Sequence, residues 1–219
     1  MKHRKLGRTG FRVSLVSLGT GGPSRLGQGS GVSEPEANRL VRRALELGIN
    51  LIDTAAGYGE SEAILGRALR GVPPEACWIA TKFSPLEGDR VKADPAELPR
   101  SLERSLQRLG REAVDVYQLH GVIPGAYREV VDRFYPEMLR AREAGKIRFL
   151  GITERFFADP AHEMLPMALA DDLFDTIMVK YGILNQAAAR QVLPMAEERN
   201  VGVINMASVR VKLTDPAQL

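Results

Sequence analysis

The sequence predicts an α/β protein: a parallel (β/α)8 TIM barrel with an N-terminal β-hairpin, incomplete because about seven of its eight strands are present. The first observation is a repeat, since short apolar runs alternate with amphipathic stretches and strand starts recur roughly every 30 residues, the length of a βα unit. The second is size, because 219 residues with 44% hydrophobic content suit one sizeable domain, expected over 1–219, or at most two small ones. The third is that no strand carries a dinucleotide-binding fingerprint, which favours a barrel over an open doubly wound sheet.

The predicted strands follow a short hairpin. Residues 3–14 should form this hairpin, turning at Arg8-Thr9-Gly10, and the parallel strands are then expected at 13–19, 49–53, 77–82, 114–120, 147–153, 174–181 and 201–207. A closed barrel needs eight strands and about 250 residues, so the eighth strand and the last helices are expected to be missing. The open edges of the first and seventh strands then predict a tendency to self-associate.

The predicted helices have clear start and stop signals. Ser33 and Glu36 form a capping box at the start of a helix over 33–47. A second helix follows Asp94-Pro95 and ends at Gly110, the residue type expected at a C-cap. Amphipathic spacing predicts further helices at about 61–70, 127–144, 160–170 and 186–199.

Composition excludes several classes of protein. The net charge is +3 with basic residues spread along the chain, which predicts neither a nucleic-acid partner nor a membrane surface. Cys77 is the one cysteine, so an internal disulfide framework is impossible and a reducing compartment is favoured. The sequence shows neither a signal peptide nor an apolar run of about 20 residues. We therefore expect a cytoplasmic protein.

Four polar side chains follow consecutive predicted strands. Asp53, Lys82 and His120 each stand at a strand end, and Tyr58 lies five residues beyond Asp53 between two glycines, Gly57 and Gly59. Each has an ordinary structural reading, as a cap, an ion-pair partner, a core histidine or a packing aromatic. Neighbouring parallel strands lie about 4.8 Å apart, however, and active groups of barrels sit at the carboxyl ends of the strands. The combination therefore predicts a functional site at one end of the barrel.

The same stretches resemble the aldo-keto reductase superfamily, in its oxidoreductase-type branch. N-L-I-D-T-A-A-G-Y-G, A-T-K-F and D-V-Y-Q-L-H match the family's tetrad in order and context, at Asp53, Tyr58, Lys82 and His120. The opening K-L-G-R-T-G-F-R-V-S with L-G-T, and I-R-F-L-G-I-T, are similar to its hairpin, first strand and fifth strand, so the resemblance covers nearly the whole chain. It implies reversible hydride transfer between a nicotinamide cofactor and a carbonyl or alcohol, with a small aldehyde, ketone or aldose as substrate.

The chemistry of these groups is consistent with that reaction. Hydride delivery to a carbonyl carbon builds negative charge on the oxygen, which needs a proton donor. An ammonium beside a phenol stabilises the phenolate, so Lys82 would help Tyr58 give up and recover a proton. Asp53 would pair with Lys82, and His120 would orient the carbonyl oxygen.

The resemblance also implies cofactor contacts, with departures from the family pattern. These contacts would involve Gly19, Thr20, Asp53, Thr153, Glu154, Met178 and Met206. The family usually has Ser-Asn where this chain has Thr153-Glu154, often Gln at 178, and often an aromatic at 206. NADP(H) is favoured over NAD(H). No metal is expected, because the three histidines are far apart and no Cys/His ligand spacing occurs.

Other functions are weaker alternatives. The main one is a catalytically impaired barrel that acts as a binding or regulatory protein. A metal-dependent hydrolase is disfavoured by the lack of clustered ligands, and a nucleotide-binding sheet by the missing glycine fingerprint. Loops at 23–31, 84–89 and 122–127 are expected to decide the substrate.

Overall fold

The structure, a computed structural model, describes residues 1–22 and 24–207, so Pro23 of the first predicted substrate loop lies outside the described residues. The strands in chain order are β1 (His3–Lys5), β2 (Arg12–Ser14), β3 (Leu18–Gly19), β4 (Leu51–Asp53), β5 (Trp78–Phe83), β6 (Leu86–Glu87), β7 (Arg90–Val91), β8 (Val114–Val122), β9 (Ile147–Glu154), β10 (Thr176–Lys180) and β11 (Gly202–Met206). The helices are α1 (Glu34–Glu46), α2 (Ser61–Ala68), α3 (Glu97–Leu109), α4 (Tyr127–Glu143), α5 (Met164–Asp171) and α6 (Val192–Glu198).

Seven parallel strands form one curled sheet in the order β11-β10-β9-β8-β5-β4-β3. The β1–β2 hairpin is antiparallel and separate from this sheet. The predicted incomplete parallel barrel with its N-terminal hairpin is therefore confirmed. Within the described residues β3 and β11 are the edge strands, and self-association through them stays a prediction.

Two helix signals read from the sequence are present in the structure. Ser33 and Glu36 form the capping box of α1, with the Ser33 N–H donating to Glu36 Oε2 over 3.0 Å. Gly110 ends α3 in the left-handed region at φ 62°, where a side chain would be strained.

The predicted strand at 13–19 is wrong as one element. Ser14 ends β2, and its hydroxyl donates to the Val16 carbonyl over 2.7 Å, which turns the chain before β3 begins at Leu18. The Ser14 N–H also donates to Asn50 Oδ1 over 2.7 Å, tying this turn to the start of the next strand. The run thus contributes one strand, β2, to the hairpin and another, β3, to the parallel sheet.

Two helix boundaries also differ from the prediction. The helix expected at 160–170 starts at Met164, because His162 has a φ of 62° and the Asp159 carboxylate accepts the N–H groups of Glu163 and Met164. The helix expected at 186–199 is confined to α6, after a short 3₁₀ turn at Ala187–Ala189. The small β6–β7 hairpin after β5 is a further element that was not predicted.

Strand alternation gives the sheet an outer and an inner apolar face. Ile52, Ile79 and Ile152 belong to the large core between strands and helices. Leu51, Met178 and Ile204 instead form an inner cluster with Leu6 and Val13 of the N-terminal region. Since side chains alternate along a strand, Asp53 lies on the same inward face as Leu51, one step nearer the carboxyl end.

The N-terminal hairpin covers the amino-terminal end of the barrel. The Phe11 ring stacks on Trp78 with centroids 3.9 Å apart, and the Arg8 N–H donates to the Asn200 carbonyl. A Cβ at Gly7 would stand 2.2 Å from Gly202 N, so only glycine permits this approach. The candidate functional site lies at the other end of the barrel, where the strands finish.

Candidate active site at the barrel mouth

A buried ion pair joins the ends of β4 and β5. Lys82 Nζ donates to Asp53 Oδ2 over 2.7 Å and to Oδ1 over 2.8 Å, and its third bond goes to the Thr54 carbonyl at 2.7 Å. Lys82 is 1% exposed and Asp53 8%. All three ammonium donors are therefore used, which is the condition for keeping a charge in the interior. The expected pairing of these two residues is present.

Gln118 is a member of this cluster that the sequence analysis missed. Its side-chain amide donates to Asp53 Oδ1 over 3.3 Å, and the residue is fully buried. A Cβ at Gly151 would stand 2.8 Å from Gln118 Cγ, so the glycine on β9 makes room for it. The available signal was its position two residues before His120, which places both side chains on one face of β8.

Tyr58 lies over the ion pair in a turn after β4. Lys82 Nζ is 5.0 Å from the centroid of the phenol ring, and the His120 ring is 5.7 Å away at an interplanar angle of 81°. The structure thus brings the four predicted groups together at the mouth. A cation beside an aromatic face is itself a favourable contact.

The glycine that admits the Tyr58 ring is Gly21, not Gly57. A Cβ at Gly21 would stand 2.6 Å from Tyr58 Cζ, whereas one at Gly57 would meet nothing within 4 Å. Gly59 does require glycine, because its φ of +60° lies in the left-handed region that other residues rarely adopt. No sequence pattern indicates Gly21, since its contact with Tyr58 joins two different loops.

His120 is held neutral at the mouth. Burial, followed by the charges of Lys82 and Arg155, lowers the pKa of His120 to about 3. Its Nδ1 lies 3.5 Å from Ser84 Oγ. A neutral imidazole keeps one donor and one acceptor nitrogen, so it can hydrogen-bond an oxygen without carrying charge.

The carboxyl end of β3 and the residue after it supply one exposed and one buried position among the predicted cofactor contacts. Thr20 N donates to the Asp53 carbonyl over 2.9 Å, and Thr20 Oγ1 is buried without a partner among the described residues. Gly19 is exposed, and a Cβ there would meet nothing within 4 Å.

The two predicted contacts on β9 already have partners. Thr153 Oγ1 accepts the Gly121 N–H over 2.8 Å. Glu154 Oε2 lies 2.7 Å from His162 Nδ1, and Oε1 accepts the Lys180 N–H over 2.7 Å. Burial raises the pKa of Glu154. Glu154 has the same strand parity as Ile152, which faces the helices, so its side chain points away from the barrel interior.

The two predicted methionines lie on the inward face of the last strands. Met178 is 6% exposed and packs in the inner apolar cluster with Leu6 and Leu51. Met206, at the end of β11, is half-buried against the same cluster. Both are packed against apolar side chains, as a thioether allows.

Three further features were sought among the described residues: a cleft, a metal-binding group of side chains and a membrane-spanning helix. A cleft of about 690 Å³ lies at the opposite end of the barrel, between the ends of α2 and α3 and the starts of β5 and β8. Over residues 1–22 and 24–207, His, Cys, Asp and Glu side chains form no group of three that could hold a metal ion. Across the same ranges, no helix is both long and apolar enough to span a membrane.

Comparison with known proteins finds relatives that are named as a dehydrogenase and a reductase. The chain is 31% identical over 226 residues to L-galactose dehydrogenase of Arabidopsis thaliana, covering 96% of this chain and 66% of that protein. It is 30% identical over 223 residues to the NADH-specific methylglyoxal reductase of Escherichia coli K12, covering 93% and 66%. The chain thus spans just under two thirds of the length of these relatives.

The chain is also similar to solved structures, and it matches a family model. A crystal structure of a Pseudomonas aeruginosa protein assigned as an aldo-keto reductase is 32% identical and superposes with a TM-score of 0.77, covering 93% of this chain and 77% of that one. The aldo/keto reductase family model matches residues 16–214, most of the sequence. Because the family model matches most of the sequence and the fold is a parallel barrel, the chain belongs to the aldo/keto reductase family.

Proposed function

We propose that this chain carries the catalytic groups of a nicotinamide-dependent oxidoreductase, which interconverts a small aldehyde, ketone or aldose and its alcohol. The observation that carries the proposal is the cluster of Asp53, Lys82, Tyr58 and His120 at the carboxyl ends of adjacent strands. The names of the two curated relatives, a dehydrogenase and a reductase, support the same class of reaction.

In this mechanism each of the four residues has a distinct role. Tyr58 Oη donates a proton to the carbonyl oxygen during reduction and takes it back during oxidation. The Lys82 ammonium, 5.0 Å from the ring centroid, stabilises negative charge on the phenol oxygen. Asp53 holds that ammonium in place, and neutral His120 hydrogen-bonds the carbonyl oxygen.

The mouth also suits a nicotinamide cofactor. Thr20 Oγ1 and Gln118 Oε1 are buried polar atoms without a partner among the described residues, and such atoms normally bind something. With Gly19, Thr153 and Met206 they would hold the nicotinamide end, whereas Glu154 faces His162. When bound, the nicotinamide supplies or accepts the hydride. NADP(H) over NAD(H) remains the finer part of the proposal, and the E. coli relative is described as NADH-specific.

The test is a titration with NADPH and NADH followed by cofactor fluorescence, then turnover on a panel of aldehydes and aldoses. Tyr58→Phe should retain cofactor binding and lose about 10²- to 10⁴-fold in turnover, because the proton donor is removed. Tyr135→Phe is the matched control, since Tyr135 packs on Phe174 in the helix layer. Unchanged turnover in Tyr58→Phe would overturn the mechanism. Cofactor binding without any turnover in the wild type would favour a binding or regulatory role.

A further inference from the structure

An arginine lies beside His120 on the rim of the mouth. Gly121 follows His120 with a φ of +67°, and a Cβ there would stand 3.8 Å from Arg155 Nε. Arg155 Nη1 donates to Asp89 Oδ1 over 2.7 Å and Nη2 to the Gly88 carbonyl over 2.8 Å. These bonds fix the guanidinium against the β6–β7 hairpin and use two of its five N–H donors.

A second arginine lies beside Tyr58 in the same relation. Gly59 follows Tyr58 with a φ of +60°, and a Cβ there would stand 2.9 Å from Gln28 Oε1 and 3.8 Å from Arg25 Nη1. Arg25 is exposed, and it makes no salt bridge to any carboxylate of the described residues. Each ring of the candidate site is therefore followed by a left-handed glycine with a guanidinium nearby, although on the Tyr58 side the Gln28 amide lies closer.

The carboxylates near these arginines leave the cationic charge available. The Asp89 side chain is 77% exposed, so its ion pair with Arg155 is worth little and can be exchanged. Glu60, beside Gly59, is exposed to solvent, and Glu154 is turned toward His162. The Lys82 charge is matched by Asp53 below the rings.

We propose that Arg155, with Arg25 on the Tyr58 side, binds an anionic group of the substrate, so that the site prefers small carbonyl compounds bearing a carboxylate or a phosphate. This inference rests on the proposed function, because the substrate carbonyl must lie between Tyr58 and His120. Because Gly121 has no side chain, Arg155 packs directly over it beside His120, and the anionic group would lie at this end of the mouth. A planar guanidinium forms paired, charge-assisted hydrogen bonds with either anion.

The experiment compares charged substrates with neutral counterparts of similar size. Succinic semialdehyde is measured against butanal for the carboxylate, and glyceraldehyde 3-phosphate against glyceraldehyde for the phosphate. The wild type should favour at least one charged member in kcat/KM. Arg155→Met should raise KM for that substrate about 10- to 100-fold, the size of a lost charged hydrogen bond, with kcat and the neutral substrates little changed. Asp89→Asn should lower the same KM, because it frees the guanidinium.

The control and a binding measurement make the outcome decisive. Arg43→Met removes an exposed guanidinium in the last turn of α1, which leads into the amino-terminal end of β4, and should leave every ratio unchanged. Calorimetric titration of the wild type and Arg155→Met with succinate and with inorganic phosphate needs neither cofactor nor turnover. Turnover of neutral carbonyls without preference for charged ones overturns the inference and leaves the proposed function intact. Arg155-dependent anion binding without turnover of any carbonyl supports the anion site and overturns the proposed function.

Discussion

Near their carboxyl ends, β4, β5 and β8 carry polar side chains that point into the barrel, whereas β9 ends on Glu154, which points away from the barrel interior. On the first side, Asp53, Lys82 and Gln118 form a buried network beneath Tyr58. On the second side, Glu154 binds His162 and the backbone of Lys180. The inward-facing polar cluster thus lies in one half of the sheet, and the outward-facing Glu154–His162 pair lies in the other.

The largest effect expected in the first half follows from breaking the ion pair. Lys82→Met leaves the Asp53 carboxylate buried without its partner, which should lower the free energy of unfolding by about 3–5 kcal/mol and remove turnover. Lys92→Met is the matched control, since its partner Glu97 is 37% exposed and its loss should cost less than about 1 kcal/mol. Urea denaturation of both variants measures the difference, and equal costs would contradict the buried network.

A smaller effect in the same half tests how Tyr58 is positioned. Gly21→Ala adds a Cβ 2.6 Å from the ring, so the phenol must move, and a shift of about 1 Å should reduce kcat about 10²-fold. Gly57→Ala is the control from the same turn, because a Cβ there meets nothing within 4 Å. The kcat of each variant is compared after thermal melting has shown that both fold. Equal kcat values would mean that the Gly21 contact does not position the ring.

The smallest effect concerns the second half and appears as a pH dependence. Burial raises the folded-state pKa of Glu154 above its ordinary value of 4.5, so the folded protein holds that proton more tightly. Its contribution to stability is present below pH 4.5 and is lost as the pH rises through the raised pKa. Glu154→Gln should flatten this part of the curve of unfolding free energy against pH. Glu163→Gln, at an exposed neighbour, should keep the wild-type slope, and an unchanged slope in Glu154→Gln would contradict the assignment.

Regular patterns made most of the fold predictable. The parallel strands from Leu51 onward fall within two residues of the predicted bounds, because each is an apolar run between clear helix signals. The β6–β7 hairpin was missed because strands of two residues have no periodicity to detect. Ser14 divided the first run through a side-chain bond to Val16, which no hydropathy pattern reports.

The candidate site was predictable where strand ends carry it, and not where loops meet. Asp53, Lys82 and His120 could be grouped because parallel strands finish at one edge. Gln118 lies on the same strand as His120, yet only the space above Gly151 shows that it reaches Asp53. The contact of Gly21 with Tyr58 joins segments that the sequence separates.

The hairpin at the amino-terminal end of the barrel has a consequence for the order of folding. Its Arg8 N–H bonds to the Asn200 carbonyl, and Gly7 fits against Gly202, so these contacts join parts of the chain nearly its whole length apart. During synthesis the first residues leave the ribosome long before β11 exists, and contacts this distant in sequence close slowly. Phe11 and Ser14 can meet Trp78 and Asn50 early, but the contacts of Gly7 and Arg8 form only once the last described strand has joined the sheet.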